Sequence, residues 1–369
     1  MRPEALTPSA FVWTPAGICI GWFTGLEVWG RHTTTGGNAK NSMYDLVSVG
    51  EAMLRLTPPK YERLRRMRTL DVHLCGSQLN VAGDLARLGL RTAFCTKLPD
   101  NYLGLYARDE CMSYGVDSSH IQMVKGSRMG VNFVEFGATP RASSVVYDRK
   151  GSAASTISPG DFKWAEILKG TKIAYTDGIF PGLSKTTAEA ALEFIAAAKK
   201  AGCTVAFDVN YREHLWSTEQ AKAVLSRIIK DVDILATTQW DSETVFGYTG
   251  SYEDIIKRFH DEFGCKIVAI TLREVYDVLR GAWNTMVLHD GQIIRGRKFE
   301  MDQIDRFGAG DSWLAGFLYG WLQGDIEFAV NFGNAMCAMN HTIHGDVAHV
   351  TVDEVKALMH STEMRDVKR

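Results

Sequence analysis

The sequence predicts an α/β protein with a mostly parallel central sheet and helices on both faces. From residue 171 onward, short apolar stretches typical of buried strands alternate with helical stretches, and repeated units of this kind build parallel sheets. The predicted strands are 173–176, 204–208, 232–236 and 267–272, and the predicted helices are 186–200, 218–230 and 252–263. Because ligands bind beyond the carboxyl ends of such strands, we expect the functional site at that edge of the sheet.

The N-terminal half of the predicted domain follows the same pattern and adds a second, smaller sheet. Its predicted elements are a strand at 46–49, a helix over 76–89, a strand at 92–96 and a helix over 103–114. Residues 130–136 and 143–147 predict a hairpin, which would form a small sheet outside the core together with chain from 55–74. We interpret the basic and irregular stretch 55–74, with its arginines at 63, 65, 66 and 68, as a solvated face.

Composition excludes several classes of protein. A length of 369 residues suits one large α/β domain or two modest ones, and a net charge of -2 gives no reason to expect nucleic acid or an anionic membrane as partner. No apolar run approaches the roughly 20 residues that span a bilayer. The seven cysteines are scattered without a Cys-x-x-Cys pair, which indicates free thiols in a reducing cytoplasm.

Residues 1–43 differ from the rest of the chain. They contain three prolines and a Thr-Thr-Thr-Gly-Gly-Asn tract, and the first strand-like segment begins directly after Met43. We expect 1–43 to be an extension outside the core, 44–360 to be one domain and 361–369 to be a tail.

The stretch from Asp305 to Ser312 carries the chemistry. Gly308, Ala309 and Gly310 lead into an apolar helix over 311–322, and the free N–H groups of its first turn attract an anion. Asp311 lies at the same point. From the residues alone, this aspartate is about equally well read as a helix cap and as a catalytic base.

This turn resembles the signature of the ribokinase-like (PfkB) family of sugar kinases. In that family the small residues form an anion hole for the migrating phosphoryl group, and the aspartate takes the proton of the attacking hydroxyl. The resemblance implies a ribokinase-like fold and the cofactors ATP and Mg²⁺. It also implies a catalytic role for Gly308, Ala309, Gly310 and Asp311, with Gly308 and Gly310 contacting phosphate. Arg306 and Phe307 depart from the family pattern.

Further motifs resemble the family's sugar-binding residues. Gly76 and Asn80 alone would be read as a turn and a helix start, but they are similar to a signature that holds sugar hydroxyls. Tyr147 and Arg149 are two residues apart, so both face the same side of a strand. From the residues alone they would be expected to pair with groups on the protein surface. They resemble, however, residues of the 2-keto-3-deoxygluconate kinase branch. The same branch implies substrate contacts from Arg212 and Asp346. It also implies that the small sheet, from about 55–74 and 128–150, is a lid and a surface for homo-oligomers.

The nucleotide side is implied by the same resemblance. The expected ATP contacts are Asn210, Thr238, Thr271, Arg273, Gly308 and Gly310. Glu243 fits the acid of the family's magnesium motif, although Trp240 stands where its Asn belongs, and 272–277 predicts a loop longer than the family's short turn.

The resemblance therefore implies ATP-dependent phosphorylation of the terminal hydroxyl of a small acidic sugar, with 2-keto-3-deoxygluconate as the preferred substrate. The alternatives are a neutral-sugar kinase of the fructokinase or ribokinase type, and a catalytically silent protein that binds sugar or nucleotide. The galactonate epimer, the oligomeric state and a need for a monovalent cation stay open. P-loop and protein-kinase motifs are absent from the sequence.

Overall fold

The structure is a computed structural model that describes residues 44–361. The expected extension over 1–43 and tail residues 362–369 lie outside the described residues.

Fourteen strands in the described range form one large and one small sheet. In chain order they are β1 (Leu46–Val49), β2 (Met53–Thr57), β3 (Asp71–Cys75), β4 (Thr92–Pro99), β5 (Ile121–Val124), β6 (Gly130–Glu135), β7 (Ser144–Asp148), β8 (Ile173–Asp177), β9 (Thr204–Asp208), β10 (Ile234–Thr238), β11 (Ile267–Val275), β12 (Arg280–His289), β13 (Gln292–Arg295) and β14 (Phe299–Asp302). The large sheet places seven parallel strands in the order β5, β4, β1, β8, β9, β10 and β11. Beyond β11, β12 pairs antiparallel with β11, β13 and β14.

Helices cover both faces of the large sheet, as predicted. They are α1 (Ser77–Arg87), α2 (Tyr102–Ser113), α3 (Trp164–Ile167), α4 (Ile179–Gly182), α5 (Lys185–Ala201), α6 (Thr218–Ile229), α7 (Gln239–Asp241), α8 (Tyr252–Phe263), α9 (Ala309–Leu322), α10 (Ile326–Asn340) and α11 (Val352–His360). Capping boxes at Ser184, Ser217, Ser251 and Thr351 begin four of them. Side chains of one strand alternate between two buried cores, with Leu46 in one and Val47 in the other. This arrangement confirms the predicted fold class.

The small sheet has the strand order β3, β2, β6, β7. Strand β2 pairs antiparallel with β3 and parallel with β6, and β6 pairs antiparallel with β7. The prediction that 55–74 is irregular is wrong at its two ends, because Arg55 to Thr57 belong to β2 and Asp71 to Leu74 to β3. The four arginines at 63, 65, 66 and 68 are exposed, as expected.

The segment after Thr271 differs from the prediction. Residues 272–277 were expected to be a loop, but β11 continues to Val275 and pairs with β12 as a long hairpin. Its residues 273–276 are exposed, so the hydrophobic alternation that reveals a half-buried strand is missing there. Backbone pairing with β12 defines this part of the hairpin.

The helices and the cysteines of the described residues bear on two expectations drawn from composition. Within 44–361, no helix is both long and apolar enough to cross a membrane. The six described cysteines are all free and buried. Cys19 lies outside the described residues.

Candidate active site

The turn at the start of α9 has the form of an anion-binding site. Gly308 precedes the helix with φ of 73° and makes no side-chain cap. A Cβ at Gly308 would lie 2.0 Å from the backbone oxygen of Asp346, so the position demands glycine for both conformation and space. A Cβ at Gly310 would face open space. The first-turn amides of a 14-residue helix thus lie without a capping side chain, which fits a phosphate group.

Asp311 is held beside this turn by α1. One carboxylate oxygen, Oδ1, accepts a hydrogen bond from Ser77 Oγ at 2.7 Å, and Oδ2 accepts one from Asn80 Nδ2 at 2.7 Å. Burial of the carboxyl raises its pKa, while the bonds from Ser77 and Asn80 and the nearby Arg212 charge lower it. The arrangement keeps an oriented carboxylate next to the uncapped amides. Asn80, expected to hold a sugar hydroxyl, donates to Asp311 in this structure.

A hydrogen-bonded cluster lies directly behind Ser77. Asn210, at φ of 37°, donates from Nδ2 to Ser77 Oγ at 3.3 Å and to Asp177 Oδ2 at 2.8 Å. Gln78 also donates to Asp177. Burial raises the pKa of Asp177 to about 6, despite these donors. Asn210, expected on the nucleotide side, therefore contacts the residues that support Asp311.

Three acids at the carboxyl edge of the sheet were not predicted as site residues from the sequence. Asp177 ends β8, Asp208 ends β9 and Asp241 follows β10, so the parallel order brings them to one edge. Burial raises the pKa of Asp208 well above its usual range, and the neighbouring Asp241 carboxyl adds to the effect. The signal that could have found Asp177 and Asp208 is an acid at the last position of a buried strand.

Arg212 lies among these acids. Its charge lowers the pKa of Asp311, and it also opposes the raised pKa values of Asp208 and Asp241. Its Nη1 donates a hydrogen bond to the adjacent backbone oxygen of Tyr211. The structure thus places this predicted substrate residue near Asp311.

The small sheet brings Arg149 and Tyr147 to the same region. Arg149 is paired with Glu51, with Nε 2.8 Å from Oε2, and Ser152 donates to the other Glu51 oxygen. The Tyr147 ring lies 5.5 Å from the ring of His214, two residues beyond Arg212. Gly76, at the end of β3, leads directly into α1. The Arg149–Glu51 pair means that the Arg149 charge is already compensated within the protein.

Asp346 faces a buried arginine. Its carboxylate lies 3.3 Å from Nε of Arg55, and its Oδ2 has no hydrogen-bond partner within the described part of the chain. Burial raises the pKa of Asp346 to about 7, while the Arg55 charge lowers it. The family resemblance predicts Asp346 as a sugar contact, whereas no motif in the sequence points to Arg55.

The residues predicted for the nucleotide lie farther along the same edge. Thr238, at the end of β10, is paired in register with Thr271, which lies in the middle of β11. Thr238 caps α7 by accepting from the Asp241 amide, and Arg273 donates to Gln303 Oε1 at 3.2 Å.

Among the described residues, Glu243 is not part of a cluster of side chains that could bind a metal ion. It accepts a hydrogen bond from Gln239 Nε2 at 2.7 Å, and exposed Trp240 stacks on Tyr211. Residues 44–361 contain no group of three acidic, histidine or cysteine side chains that fits a metal ion. A Mg²⁺ ion held mainly by phosphates and waters does not need such a group.

Comparison with known proteins gives a consistent picture. Residues 43–351 match the family described as pfkB family carbohydrate kinase. The chain is 34% identical over 316 residues to the 2-dehydro-3-deoxygalactonokinase of Haloferax volcanii, covering 85% of this chain and 96% of that one. It is 31% identical over 323 residues to a 5-dehydro-2-deoxygluconokinase of Clostridium perfringens, covering 85% and 92%. The crystal structure of the 2-dehydro-3-deoxygluconokinase of Thermotoga maritima superposes with a TM-score of 0.83 at 35% identity, covering 86% and 99%.

Proposed function

The chain belongs to the pfkB family of carbohydrate kinases and is an ATP-dependent sugar kinase, and from this premise we propose that its substrate is a small acidic sugar. The preferred substrate is 2-keto-3-deoxygluconate, phosphorylated at its terminal hydroxyl to the 6-phosphate. The names of the similar proteins, which are kinases of 2-dehydro-3-deoxy and 5-dehydro-2-deoxy sugar acids, support this class.

The observation that carries the proposal is the position of Asp311 beside the uncapped turn of α9. The γ-phosphate of ATP would lie against the amides of Gly308 to Gly310, and the sugar hydroxyl would lie against Asp311. Asp311 then accepts the hydroxyl proton as the bond from the sugar oxygen to the γ-phosphorus forms and the bond from that phosphorus to the bridging oxygen breaks, which releases ADP. Because phosphoryl transfer has a loose transition state, orientation and charge stabilisation contribute most of the rate.

The residues proposed to contact ATP and Mg²⁺ belong to the same edge of the sheet. The nucleotide would lie near Thr238, Thr271 and Arg273, and Glu243 with water would help to hold Mg²⁺. The metal ion supplies positive charge to the transferred group.

Arg212 is the proposed partner of the substrate carboxylate. A guanidinium matches a carboxylate with paired hydrogen bonds, and the charge of Arg212 acts on Asp311, where the bound sugar must reach. Arg149 and Tyr147 would approach the same sugar from the small sheet. Gly76 and Asp346 would complete the floor of the pocket.

A neutral-sugar kinase is the second candidate, and one observation favours it. Glu51 compensates the charge of Arg149, so the small sheet offers the sugar a neutral ion pair and not a free cation. A substrate panel measured by ADP release separates the two candidates. Sugar acids of the gluconate and galactonate type should exceed fructose and ribose in kcat/KM by at least about tenfold, the worth of one charge-assisted hydrogen bond. Equal values would favour the neutral-sugar kinase.

The role of Asp311 has a direct test. The Asp311→Asn variant keeps the side-chain size and removes the proton acceptor, so kcat should fall by about 10²–10⁴-fold with sugar binding retained. Asp109→Asn, a change at an exposed acid on α2, is the control. A kcat near the wild-type value would contradict the base assignment.

We also propose that residues 44–360 form the catalytic unit, because the family match covers 43–351. The small sheet is proposed as the lid, and its outer face as a surface for self-association. Val72, Leu56, Phe133 and Val146 lie opposite one another across the four strands. This row is apolar, and Val72 and Val146 are about half exposed.

A further inference from the structure

Arg55 is an arginine that is almost completely buried. It lies on β2 of the small sheet and is only 1% exposed, although Arg63, Arg65, Arg66 and Arg68 farther along the chain are exposed. Arginine is seldom buried to this extent unless it is paired. Its partners lie outside the small sheet.

The Arg55 guanidinium binds the segment that precedes α9. Nη1 donates to Asp305 Oδ1 at 3.1 Å, and Nη2 donates to Asp305 Oδ2 at 2.6 Å. The same two carboxylate oxygens accept from the backbone amides of Phe307 at 3.0 Å and Gly345 at 3.1 Å. One arginine from the small sheet thus fixes an aspartate that in turn holds two backbone segments.

These two segments meet at the proposed anion-binding turn. Gly308 follows Phe307, and a Cβ at Gly308 would lie 2.0 Å from the backbone oxygen of Asp346, which follows Gly345. Arg55 also lies 5.1 Å above the Phe307 ring, and that ring is 6.2 Å from Phe136, which follows β6 of the small sheet. The backbone at Gly308 therefore has little room to move independently of Arg55.

Arg55 supplies the positive charge that faces two buried carboxyl groups at this junction. Asp305 and Asp346 are both buried, and the guanidinium lies within 3.3 Å of each. A buried ion pair often adds little net stability compared with apolar side chains of similar volume. A role in fixing geometry is the better explanation for placing a charge in this position.

We propose that Arg55 is a positioning residue for phosphoryl transfer: through Asp305 it couples the small sheet to the turn at Gly308–Gly310 and orients the amides that receive the transferred group. The fixed fork of the guanidinium is essential to this role, because it binds both oxygens of Asp305 at once. The proposal rests on the proposed site for the phosphoryl group at that turn.

The test compares Arg55→Lys with the wild-type enzyme, using a sugar that the wild type phosphorylates. Lysine keeps the positive charge and loses the fork. Binding of ADP alone, and of ADP with aluminium fluoride and sugar, is measured by calorimetry, because the fluoride complex mimics the phosphoryl group at the turn. We expect kcat and the affinity for the fluoride complex to fall at least about tenfold, with ADP affinity and sugar KM changed less than about threefold.

Two further variants separate positioning from folding. Arg108→Met removes an arginine of α2 that is also paired with an aspartate, Asp109, outside the small sheet and the α9 turn, and it should leave both readouts unchanged. Asp305→Asn is the second test variant, and it is judged by the same criteria. It replaces Arg55→Lys if near-UV circular dichroism shows that Arg55→Lys does not fold. A folded Arg55→Lys or Asp305→Asn variant with kcat and fluoride-complex affinity within about twofold of wild type would overturn the proposal. Equal losses in ADP affinity, sugar KM and kcat would also overturn it, since they indicate a general structural role.

The wild-type measurement tests the underlying function separately. If the wild-type enzyme binds ADP with aluminium fluoride and sugar no more tightly than ADP alone, the phosphoryl site at the turn is wrong, and the Arg55 proposal fails with it. If the wild type binds the complex tightly and Arg55→Lys does so equally, only the Arg55 proposal fails.

Discussion

At the scale of single residues, the ionisation of Asp311 depends on donors from α1. The groups whose charges act on this region are Arg212, Asp84, Asp177, Asp208 and Asp346. Ser77 stabilises the ionised form of Asp311 by donating to it at 2.7 Å. Removing this donor in Ser77→Ala should raise the pKa of Asp311, so the acid limb of the kcat/KM profile should move to higher pH. Ser113→Ala, a change at an exposed serine, should leave the profile in place. An unshifted acid limb in Ser77→Ala would mean that Ser77 does not tune the base.

At the scale of elements, α9 is fixed by close packing against α10. A Cβ on Gly320 would lie 2.4 Å from the backbone Cα of Ala329, so the two helix backbones are nearly in contact there. Gly320→Ala should force the helices apart and lower the free energy of unfolding by about 1–3 kcal/mol, measured by chemical denaturation. Gly83→Ala in α1 is the matched control, because its Cβ would meet side chains and not a helix backbone, Val347 at 3.2 Å and Tyr114 at 3.4 Å. Equal effects at both glycines would contradict the close approach of α9 and α10.

At the scale of the whole molecule, the outer face of the small sheet is the proposed contact between two copies. Val146 is 56% exposed at the end of the apolar row, so Val146→Lys should weaken a dimer and shift sedimentation toward the monomer mass. Met112→Lys on α2 changes a side chain that is 57% exposed and away from this row, and it should have no effect. A wild-type chain that sediments as a monomer would remove the proposed interface.

The sequence by itself determined the elements and the central turn. Apolar periodicity placed β9 and α8 at their observed bounds, and the small residues before Asp311 predicted the turn that we propose binds an anion. These features are local, because a strand or helix is specified by neighbours within one or two turns. The hairpin of β11 and β12 was missed for the same reason, since its exposed part has no hydrophobic alternation.

Only the tertiary structure decided which side chains support the site. Arg55 and Asp305 are 250 residues apart, Ser77 and Asp311 are 234 apart, and Glu51 and Arg149 are 98 apart. No local pattern encodes such pairs, because they exist only after the parallel sheet has brought distant strand ends to one edge and the small sheet has packed over them. The turn that we propose receives phosphate could therefore be predicted from the sequence, whereas the arginine that we propose fixes it could be found only in the folded protein.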